Sequence, residues 1–375
     1  MNFPILAENP ACSSACRACH YKELAYPDQL VRKRRWAERQ LGHFGEALRE
    51  IVSAPESERL GYRAKSWLRA HVENGEVSLG MFRAVQGETK WEKEFISWNT
   101  CPIHSLAIER TVARLRTALG KRAADFSENS LFGIWFGTPH VVLIAKDHRE
   151  EELKNLDWNS ILEPPLKYAS FHQTNQVGRS VFGEGPIHPL NAAPEYPLPI
   201  RAFRQVARTL VDRARMEAVH ALLAKSPSLV VDLYCGTGEL ATLLPREVGW
   251  VGIESSKEAV AAANRIRPAE GAFHEAYLGL TEDRLRDSQI RRRFSGKYAL
   301  YLNPPRPGLG EEAREVLIDL VSAHRPSSLV YLSCSASSLA RDLDAFTQAG
   351  FEVKSLQPFD FFPQTEHFET LAILG

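Results

Sequence analysis

The stretch that decides the fold lies in the second half of the chain and reads Leu229-Val230-Val231-Asp232-Leu233-Tyr234-Cys235-Gly236-Thr237-Gly238. Its first six residues are apolar or aromatic apart from Asp232, which is typical of a buried β-strand. Gly236 and Gly238 follow the strand, and we expect a helix from Glu239. Glycines at such a turn let the backbone approach a ligand, and a helix N-terminus offers it free N–H groups. The stretch therefore predicts a ligand site at the carboxyl end of a strand.

A second strand, predicted from Trp250 to Ile253, leads into Glu254. A carboxylate there can accept hydrogen bonds from two ribose hydroxyls. Gly236, Gly238 and Ala241 also satisfy the loose dinucleotide-binding pattern, so a nicotinamide or flavin enzyme is one alternative. A plain strand-to-helix turn with a solvated carboxylate is another. Asp232 argues against the dinucleotide interpretation, because it lies inside the end of the first strand and not after it.

The surrounding region alternates short apolar runs with helical periodicity, which predicts a doubly wound α/β sheet. The predicted strands lie at 229–233, 250–253, 298–302 and 329–332, and the predicted helices near 202–224, 257–265, 311–323 and 337–348. Proline and glycine accumulate between Gly183 and Pro199 and indicate a linker. We therefore predict two domains, residues 1–195 and residues 196–375.

The first domain is predicted to be a smaller, mixed α/β unit. Asn74-Gly75 between aromatic and β-branched residues indicates a hairpin, and residues 137–139 turn a second strand pair. One helix is predicted from about Leu106 to Leu119. Apolar residues at helical spacing within 27–51 predict one or two further helices, which could pack on the second domain. Their other face carries Arg32-Lys33-Arg34-Arg35.

Composition excludes several classes of protein. The 375 residues contain 46 Lys and Arg against 46 Asp and Glu, so a nucleic-acid surface would have to be a local patch. The most apolar run, 131–145, is interrupted by glycine and proline and is shorter than the roughly 20 residues of a membrane-spanning helix. The first residues do not resemble a signal peptide. We therefore expect a cytoplasmic protein, with no membrane partner and with reduced cysteines.

Two further strand ends carry reactive groups at the edge of the glycine loop. Tyr331-Leu332-Ser333-Cys334 ends one predicted strand, and Leu302-Asn303-Pro304-Pro305-Arg306 ends its neighbour. Two further motifs follow, Leu339-Ala340-Arg341-Asp342-Leu343 and Phe362-Pro363-Gln364-Thr365-Glu366-His367-Phe368-Glu369. Together with the two strand ends, they resemble the RNA uracil-C5 methyltransferase family. The glycine stretch resembles motif I of S-adenosylmethionine (SAM) methyltransferases. The layout is most similar to the bacterial branch that modifies 23S rRNA, carries a [4Fe-4S] cluster and lacks a TRAM domain.

The resemblance implies a C-terminal, Rossmann-like SAM-methyltransferase domain that forms 5-methyluridine in RNA. It implies Cys334 as the nucleophile and Glu369 as the base, with Glu366 as a local competitor. The residues expected to bind SAM are Gln205 of Phe203-Arg204-Gln205, Tyr234, Gly236, Gly238, Glu254 and Asn303. Phe171-His172-Gln173 mimics the Phe-x-Gln motif but precedes the linker. Glu275 is the acidic candidate for the adenine amino group.

The proposed chemistry requires these residue types. C5 of uracil is too weak a nucleophile to accept a methyl group until a thiolate adds to C6. A base must then remove the C5 proton so that the thiolate can leave by elimination. A non-catalytic RNA-binding relative is a rival interpretation, but the presence of both Cys334 and Glu369 argues against it.

Three cysteines lie within eight residues, as Cys12-x3-Cys16-x2-Cys19, and Cys101 lies far downstream. Four thiolates are the set that an iron-sulfur cluster or a tetrahedral zinc needs. We expect the [4Fe-4S] cluster that the resemblance implies. Zinc, with His20 or His104, is the alternative, and the triplet spacing also equals that of radical-SAM enzymes, in which Cys101 would have no role.

The expected partner is RNA, whose target uridine must be flipped out to reach a buried thiolate. Tyr62, Arg63 and Lys65 resemble a basic motif of the family, and Arg306 lies beside the nucleophile loop. Two basic runs, 32–35 and 291–293, are further candidates, although such runs are usually solvated helix faces. We expect a monomer acting on 23S rRNA, with tRNA as the alternative substrate.

Overall fold

The computed structural model describes residues 5–73, 76–86, 91–121, 131–137, 140–145, 153–173, 179–182, 208–266 and 272–375. The chain forms two compact units, one of Met1–Tyr26 with Pro55–Tyr196 and one of Pro27–Ala54 with Pro197–Gly375. Nearly all of helix α1 (Tyr26–Leu41) therefore belongs to the second unit. The domain boundary predicted at 195/196 lies outside the described residues.

The first unit is built on a seven-stranded sheet with the order β3-β2-β1-β4-β5-β6-β7. Its strands are β1 (Lys65–Glu73), β2 (Glu76–Gln86), β3 (Trp91–Ser97), β4 (Leu131–Gly137), β5 (His140–Ala145), β6 (Tyr168–Gln173) and β7 (Arg179–Phe182). Its helices are α2 (Leu106–Gly120) and α3 (Trp158–Ile161). β5 and β6 are parallel, and the other neighbours are antiparallel.

One face of this sheet is covered by α2. β1 alternates buried with more exposed residues, as a strand with one face on the core must. The apolar side of α2, which includes Ile108, Val112 and Leu115, packs in the same core as Leu68 and Ile134 of the sheet. Burial of this helix face holds the unit together, since the removal of apolar surface from water is the main favourable term in folding.

The second unit contains a seven-stranded sheet with the order β10-β9-β8-β11-β12-β14-β13. Its strands are β8 (Leu229–Leu233), β9 (Gly249–Glu254), β10 (His274–Leu278), β11 (Tyr298–Leu302), β12 (Leu329–Ser333), β13 (Val353–Phe359) and β14 (Glu369–Leu374). Its helices after α1 are α4 (Arg208–Leu223), α5 (Lys257–Ile266), α6 (Thr281–Arg286), α7 (Ser288–Arg291), α8 (Glu311–Ala323) and α9 (Ala336–Gln348). The predicted α/β fold class is confirmed.

Strand direction brings the site together at one edge. β8 to β12 are mutually parallel, so their carboxyl ends share an edge of the sheet. β14 lies between β12 and β13 and is antiparallel to both. A reversed strand presents its amino end where its neighbours present their carboxyl ends. Glu369, the first residue of β14, therefore lies at the edge that follows Ser333 and Leu302.

The helix predicted from Glu239 is wrong in type. The chain forms a 3-10 helix, Glu239–Leu243, and Leu244 is extended. The next residue is Pro245, which has no N–H to donate and disfavours the helical conformation of the residue before it. Among the described residues, none of the helices could span a lipid bilayer.

Candidate active site

The loop after β8 has the backbone conformation that its glycines allow. Tyr234, Gly236 and Gly238 have φ angles of 62°, 54° and 75°. This left-handed region is open to glycine and costs energy for a residue such as Tyr234. A side chain on Gly238 would also come within 3.0 Å of Ala263 on α5. Glycine at position 238 thus allows the loop to lie close to α5.

Glu254, at the end of β9, holds this loop through its carboxylate. Gly236 donates its backbone N–H to Oε2 at 3.1 Å, and Ser256 donates its backbone N–H to Oε1 at 2.8 Å. The carboxylate is directed at the glycine loop, where a ligand's ribose would lie in a nucleotide site. A carboxylate is a stronger hydrogen-bond acceptor than a neutral group. This one also borders the backbone that would contact such a ligand.

Asp232 is a buried carboxyl group beneath the same loop. Trp250 donates its indole N–H to Oδ2 at 3.2 Å, while Oδ1 is buried with no hydrogen-bond partner in the structure. Burial raises the pKa of Asp232 to about 8, and the Trp250 hydrogen bond opposes the rise. A buried acceptor with spare capacity next to a glycine loop fits a ligand that brings a donor or a positive charge, as SAM does.

The other residues expected to bind SAM differ in placement. Asn303 follows β11 and donates its backbone N–H to Leu233 at 3.3 Å, so it lies beside the end of β8. Tyr234 follows β8, and burial raises the pKa of its hydroxyl. Gln205 lies outside the described residues. Glu275 is the second residue of β10, away from the carboxyl edge of the sheet, and accepts a hydrogen bond from Tyr277 at 2.6 Å.

The predicted nucleophile, Cys334, directly follows β12 and is half-buried. Burial raises the pKa of its thiol to about 11, and the Glu369 carboxylate also raises it. The Arg306 guanidinium lowers it, both by its charge and by a hydrogen bond. Helix α9 begins two residues later, at Ala336, so the positive end of its dipole also favours the thiolate. The structure brings Cys334, Glu369 and Arg306 together.

The two acidic candidates for the base have different environments. Glu369 is only 2% exposed, whereas Glu366 is exposed to solvent. Glu369 acts on the thiol of Cys334 electrostatically, and Glu366 is not among the groups that shift the pKa of that thiol. The geometry therefore favours Glu369.

Arg306 is held on both sides. Its Nη2 lies 2.6 Å from Nε2 of His367, and its carbonyl accepts a hydrogen bond from Ser338 at 2.9 Å. Two other α9 residues brace the loop that carries it. Arg341 donates to the Pro307 carbonyl at 2.8 Å, and the fully buried Asp342 accepts from the N–H of Leu309, also at 2.8 Å. This loop is thus braced by the helix that follows the nucleophile.

Sequence patterns alone do not assign roles to His367, Ser338, Arg341 or Asp342. The signal was present, because three of the four lie inside the motifs that carried the resemblance. Their roles depend on contacts between segments about 30 residues apart or more, such as the 61 residues between Arg306 and His367. Spacing along a single chain does not reveal such contacts.

The four clustered cysteines line one pocket of the first unit. Cys12, Cys16, Cys19 and Cys101 all contribute to its wall, with Lys22, Arg63 and Trp98 among the other lining residues. Burial, followed by the neighbouring thiols, raises the pKa of Cys19 to about 12, and burial raises that of Cys101 to about 11. Uncompensated thiolates would repel one another there, so the set suits a bound metal group that carries positive charge.

Lys22 organises the cysteine loop. Its side chain is buried, and the ammonium donates to the carbonyls of Ser13, Ser14 and Cys16 at 3.3, 3.0 and 2.9 Å. His104 has both ring nitrogens engaged, with Ser66 at 2.9 Å and with Glu109 at 2.9 Å. It is not among the residues that line the pocket, and neither is His20.

The basic residues suggested as RNA contacts fall into three groups. Tyr62 and Arg63 lie against the cysteine pocket, and Lys65 is the first residue of β1. Arg293 stacks on Phe273, with its guanidinium carbon 3.8 Å from the ring centre. Lys33 fits neither prediction for the 32–35 run, an RNA contact or a solvated helix face, because its side chain is fully buried in an ion pair with Asp360.

Comparison with known proteins adds the family context. Residues 195–375 match the family model described as tRNA (Uracil-5-)-methyltransferase. An uncharacterised RNA methyltransferase of Listeria monocytogenes is 25% identical over 97% of this chain and 83% of its own length. A Marinomonas protein named 23S rRNA (uracil(1939)-C(5))-methyltransferase RlmD is 26% identical over 97% of this chain and 80% of its own length.

Among solved structures, the chain is similar to the Pyrococcus abyssi tRNA (uracil-54, C5)-methyltransferase in complex with S-adenosyl-L-homocysteine. The TM-score is 0.68 and the identity 18%, over 97% of this chain and 87% of that one. At this identity the likeness concerns the fold, which is thus shared across most of the chain.

Proposed function

Because residues 195–375 match the tRNA (Uracil-5-)-methyltransferase family model and relatives along most of the chain are named RNA methyltransferases, we propose that the protein is a SAM-dependent RNA uracil-C5 methyltransferase. It methylates C5 of one uridine in 23S rRNA through a covalent adduct with Cys334. The observation that carries the proposal is the meeting of Cys334, Glu369 and Arg306 at the edge of the sheet that also bears the glycine loop. The rRNA assignment is supported by relatives named for 23S rRNA. Methylation of tRNA by the same mechanism is the alternative, after the description of the family model.

The first half of the reaction belongs to Cys334. Its thiolate adds to C6 of the flipped-out uracil, so that a C–S bond forms and the ring's electron pair moves toward C5 and O4. SAM, when bound, supplies the methyl group that C5 then takes. Arg306 favours the thiolate before addition. The burial that disfavours the thiolate ceases to matter as the negative charge passes from sulfur into the ring.

The second half belongs to Glu369. The carboxylate takes the C5 proton, the C5–H electron pair restores the C5–C6 double bond, and the C–S bond breaks to return Cys334. A carboxylate that is 2% exposed is shielded from competing water. Its position across from the thiol suits work on the carbon adjacent to the one that the sulfur attacks.

The proposed SAM site uses the loop and strand ends described above. Glu254 would accept from the ribose hydroxyls, and Tyr234 and Asn303 would border the ligand with the loop glycines. Asp232 would offer its spare buried oxygen to the positive end of the ligand or to a donor that positions the loop. Gln205 completes the set by its family motif alone.

The four cysteines are proposed to hold a [4Fe-4S] cluster. Four thiolates could hold either a tetrahedral zinc or a [4Fe-4S] cluster, and the resemblance to the cluster-bearing branch of the family favours the cluster. The presence of Cys101 in the same pocket supports full ligation over the open site of a radical-SAM enzyme. Such a cluster would tie the 12–19 segment to Cys101.

The remaining assignments follow from this function. We assign residues 1–195 to the cluster and to RNA binding, through Tyr62, Arg63 and Lys65, except for Pro27–Ala54, which belongs to the second unit. Residues 196–375 are assigned to catalysis. Arg306, beside the thiol, would contact the uracil or its phosphate. The enzyme is proposed to act as a monomer in the cytoplasm.

Substrate identity can be tested directly. Purified enzyme and radiolabelled SAM are incubated with unmodified 23S rRNA and, separately, with unmodified tRNA, and the labelled nucleoside is identified by chromatography. We expect 5-methyluridine in 23S rRNA only. Label that appears in tRNA alone would replace the rRNA assignment, and label in neither RNA would refute both.

A further inference from the structure

Two buried polar side chains of α1 contact the loop that leads into the proposed base. This loop comprises residues 360–368, between the end of β13 and the start of β14, and is called the base loop below. Phe359 and Glu369 are paired in register, so the loop is closed at the residue that carries the carboxylate. Whatever holds the loop therefore acts on the strand end at which Glu369 begins.

Lys33 holds the first part of the base loop. Its ammonium forms an ion pair with Asp360 and donates to the carbonyl of Phe362 at 3.0 Å. The side chains of Lys33 and Asp360 are both fully buried. A buried ion pair is rarely more stabilising than apolar residues of the same volume, because its desolvation cost is comparable to its attraction. Its geometry is specific, however, so it fixes where the two segments lie.

Gln29 holds the middle of the base loop, one turn earlier on α1. Its Nε2 donates to Oε1 of Gln364 at 2.9 Å, and its Oε1 accepts the backbone N–H of Gln364, also at 2.9 Å. Gln29 is fully buried. Gln364 has a φ of 71°, a conformation that costs energy outside glycine and that this pair of hydrogen bonds stabilises.

From Gln364 the chain leads directly to the reacting groups. The hydroxyl of Thr365 donates to Phe362 at 2.9 Å and accepts the N–H of His367 at 3.2 Å, which makes the turn compact. The His367 ring then contacts Arg306, the cation that lowers the pKa of the Cys334 thiol. A displaced base loop would move His367 and Glu369 together.

We propose that Gln29 and Lys33 are positioning residues for the second half of the reaction, in that α1 holds the base loop so that Glu369 faces the adduct at C5. The inference rests on the proposed function. In this proposal Gln29 contacts neither RNA nor SAM. Its effect is specific to the removal of the C5 proton. Methyl transfer needs only the thiolate and the methyl donor and should be affected less.

The test is Gln29→Met, which keeps the length of the side chain and removes both of its hydrogen bonds to Gln364. In single-turnover reactions with labelled SAM and RNA, we expect elimination to slow at least tenfold, so that methylated protein-RNA adduct accumulates on denaturing gels. SAM affinity by calorimetry should be unchanged. Gln40→Met, the same substitution on the same helix at a residue outside the site, is the matched control and should release product like wild type.

A second variant keeps the test decisive if Gln29→Met fails to fold. Gln364→Met removes only the side-chain half of the contact, and a smaller accumulation of adduct is expected. If folded Gln29→Met or Gln364→Met releases product at the wild-type rate, or slows both steps equally without adduct, the positioning role is refuted. Failure of the proposed function would look different, because wild type itself would then form neither 5-methyluridine nor an adduct with 5-fluorouridine RNA.

Discussion

Cys334 and Glu369 lie at the same end of the β12–β14 ladder. Ser333 pairs with Thr370 in this antiparallel register, Cys334 directly follows Ser333, and Glu369 directly precedes Thr370. The two side chains are near enough for the Glu369 carboxylate to raise the pKa of the Cys334 thiol. Two such neighbouring groups suit work on adjacent carbons of one ring.

The two residues should fail at different steps. Cys334→Ala removes the thiolate and should form no adduct and transfer no methyl group. Glu369→Gln keeps the thiolate but cannot take the C5 proton, so addition and methyl transfer should proceed while elimination stalls. Denaturing gels with labelled SAM should therefore show a methylated adduct for Glu369→Gln and none for Cys334→Ala.

Glu366→Gln is the matched control for this assignment. It makes the same substitution three residues away, at an exposed carboxylate, and should turn over normally. Wild type should accumulate adduct only with 5-fluorouridine RNA, because fluorine at C5 cannot leave as a proton. A trapped adduct with Glu366→Gln and none with Glu369→Gln would move the base by three residues.

The thiol of Cys334 should react slowly at neutral pH. Its pKa is raised to about 11, so the thiolate is scarce at pH 7 and should increase roughly tenfold per pH unit up to that value. Alkylation of Cys334 by iodoacetamide, followed by mass spectrometry, should increase accordingly. Glu369→Gln removes a charge that raises the pKa and should speed the reaction at pH 8, whereas Arg306→Leu should slow it.

Cys235 serves as the internal reference for the alkylation experiment. Burial raises the pKa of its thiol well above the ordinary value. It should stay unmodified where Cys334 reacts. Cys334 alkylation that levels off near pH 8 would contradict the structure's electrostatics.

Much of the fold could be predicted from local patterns, and the exceptions have physical causes. β8, β11 and α8 follow from apolar runs and helical periodicity in the sequence. The antiparallel insertion of β14 does not, because a strand's direction is decided by which neighbours it pairs with. Lys33 lies within a basic run for which the sequence predicts either an RNA contact or a solvated helix face, yet it is buried with Asp360, which is 327 residues away along the chain. Local sequence patterns indicate which reactive residues lie at strand ends. They do not indicate which distant residues hold those strand ends in place.

The cysteine pocket predicts the properties of the purified protein. Anaerobically purified protein should be brown and contain about four irons per chain. Serine substitution of Cys12, Cys16, Cys19 or Cys101 should each bleach it, whereas Cys235→Ser, at a thiol of the other unit, should not. Colourless protein with stoichiometric zinc would refute the cluster, and bleaching that spares the Cys101 variant would favour a radical-SAM site.

Glu254 should matter for SAM and not for the overall fold. Loss of a hydrogen bond to a charged group costs about 1.5 to 3 kcal/mol, so Glu254→Ala should weaken SAM binding at least tenfold in calorimetry. Glu275→Ala, which removes the acidic group away from the carboxyl edge, should change it little. Unchanged SAM affinity in Glu254→Ala would remove this residue from the site.

The buried ion pair of Lys33 and Asp360 should show its cost in stability. Lys33→Met leaves Asp360 buried without its cation, and breaking a buried pair from one side costs about 3 to 5 kcal/mol, so the free energy of unfolding in urea should fall by that amount. Lys33→Met with Asp360→Leu removes both charges and fills the same space with apolar atoms, and it should recover most of the loss.

If Gln29 and Lys33 position the base loop, the double variant should regain stability and still release product slowly, because Leu at 360 cannot reproduce the direction of the ion pair. A double variant that recovers stability and the wild-type rate of elimination would show that Lys33 serves the fold alone.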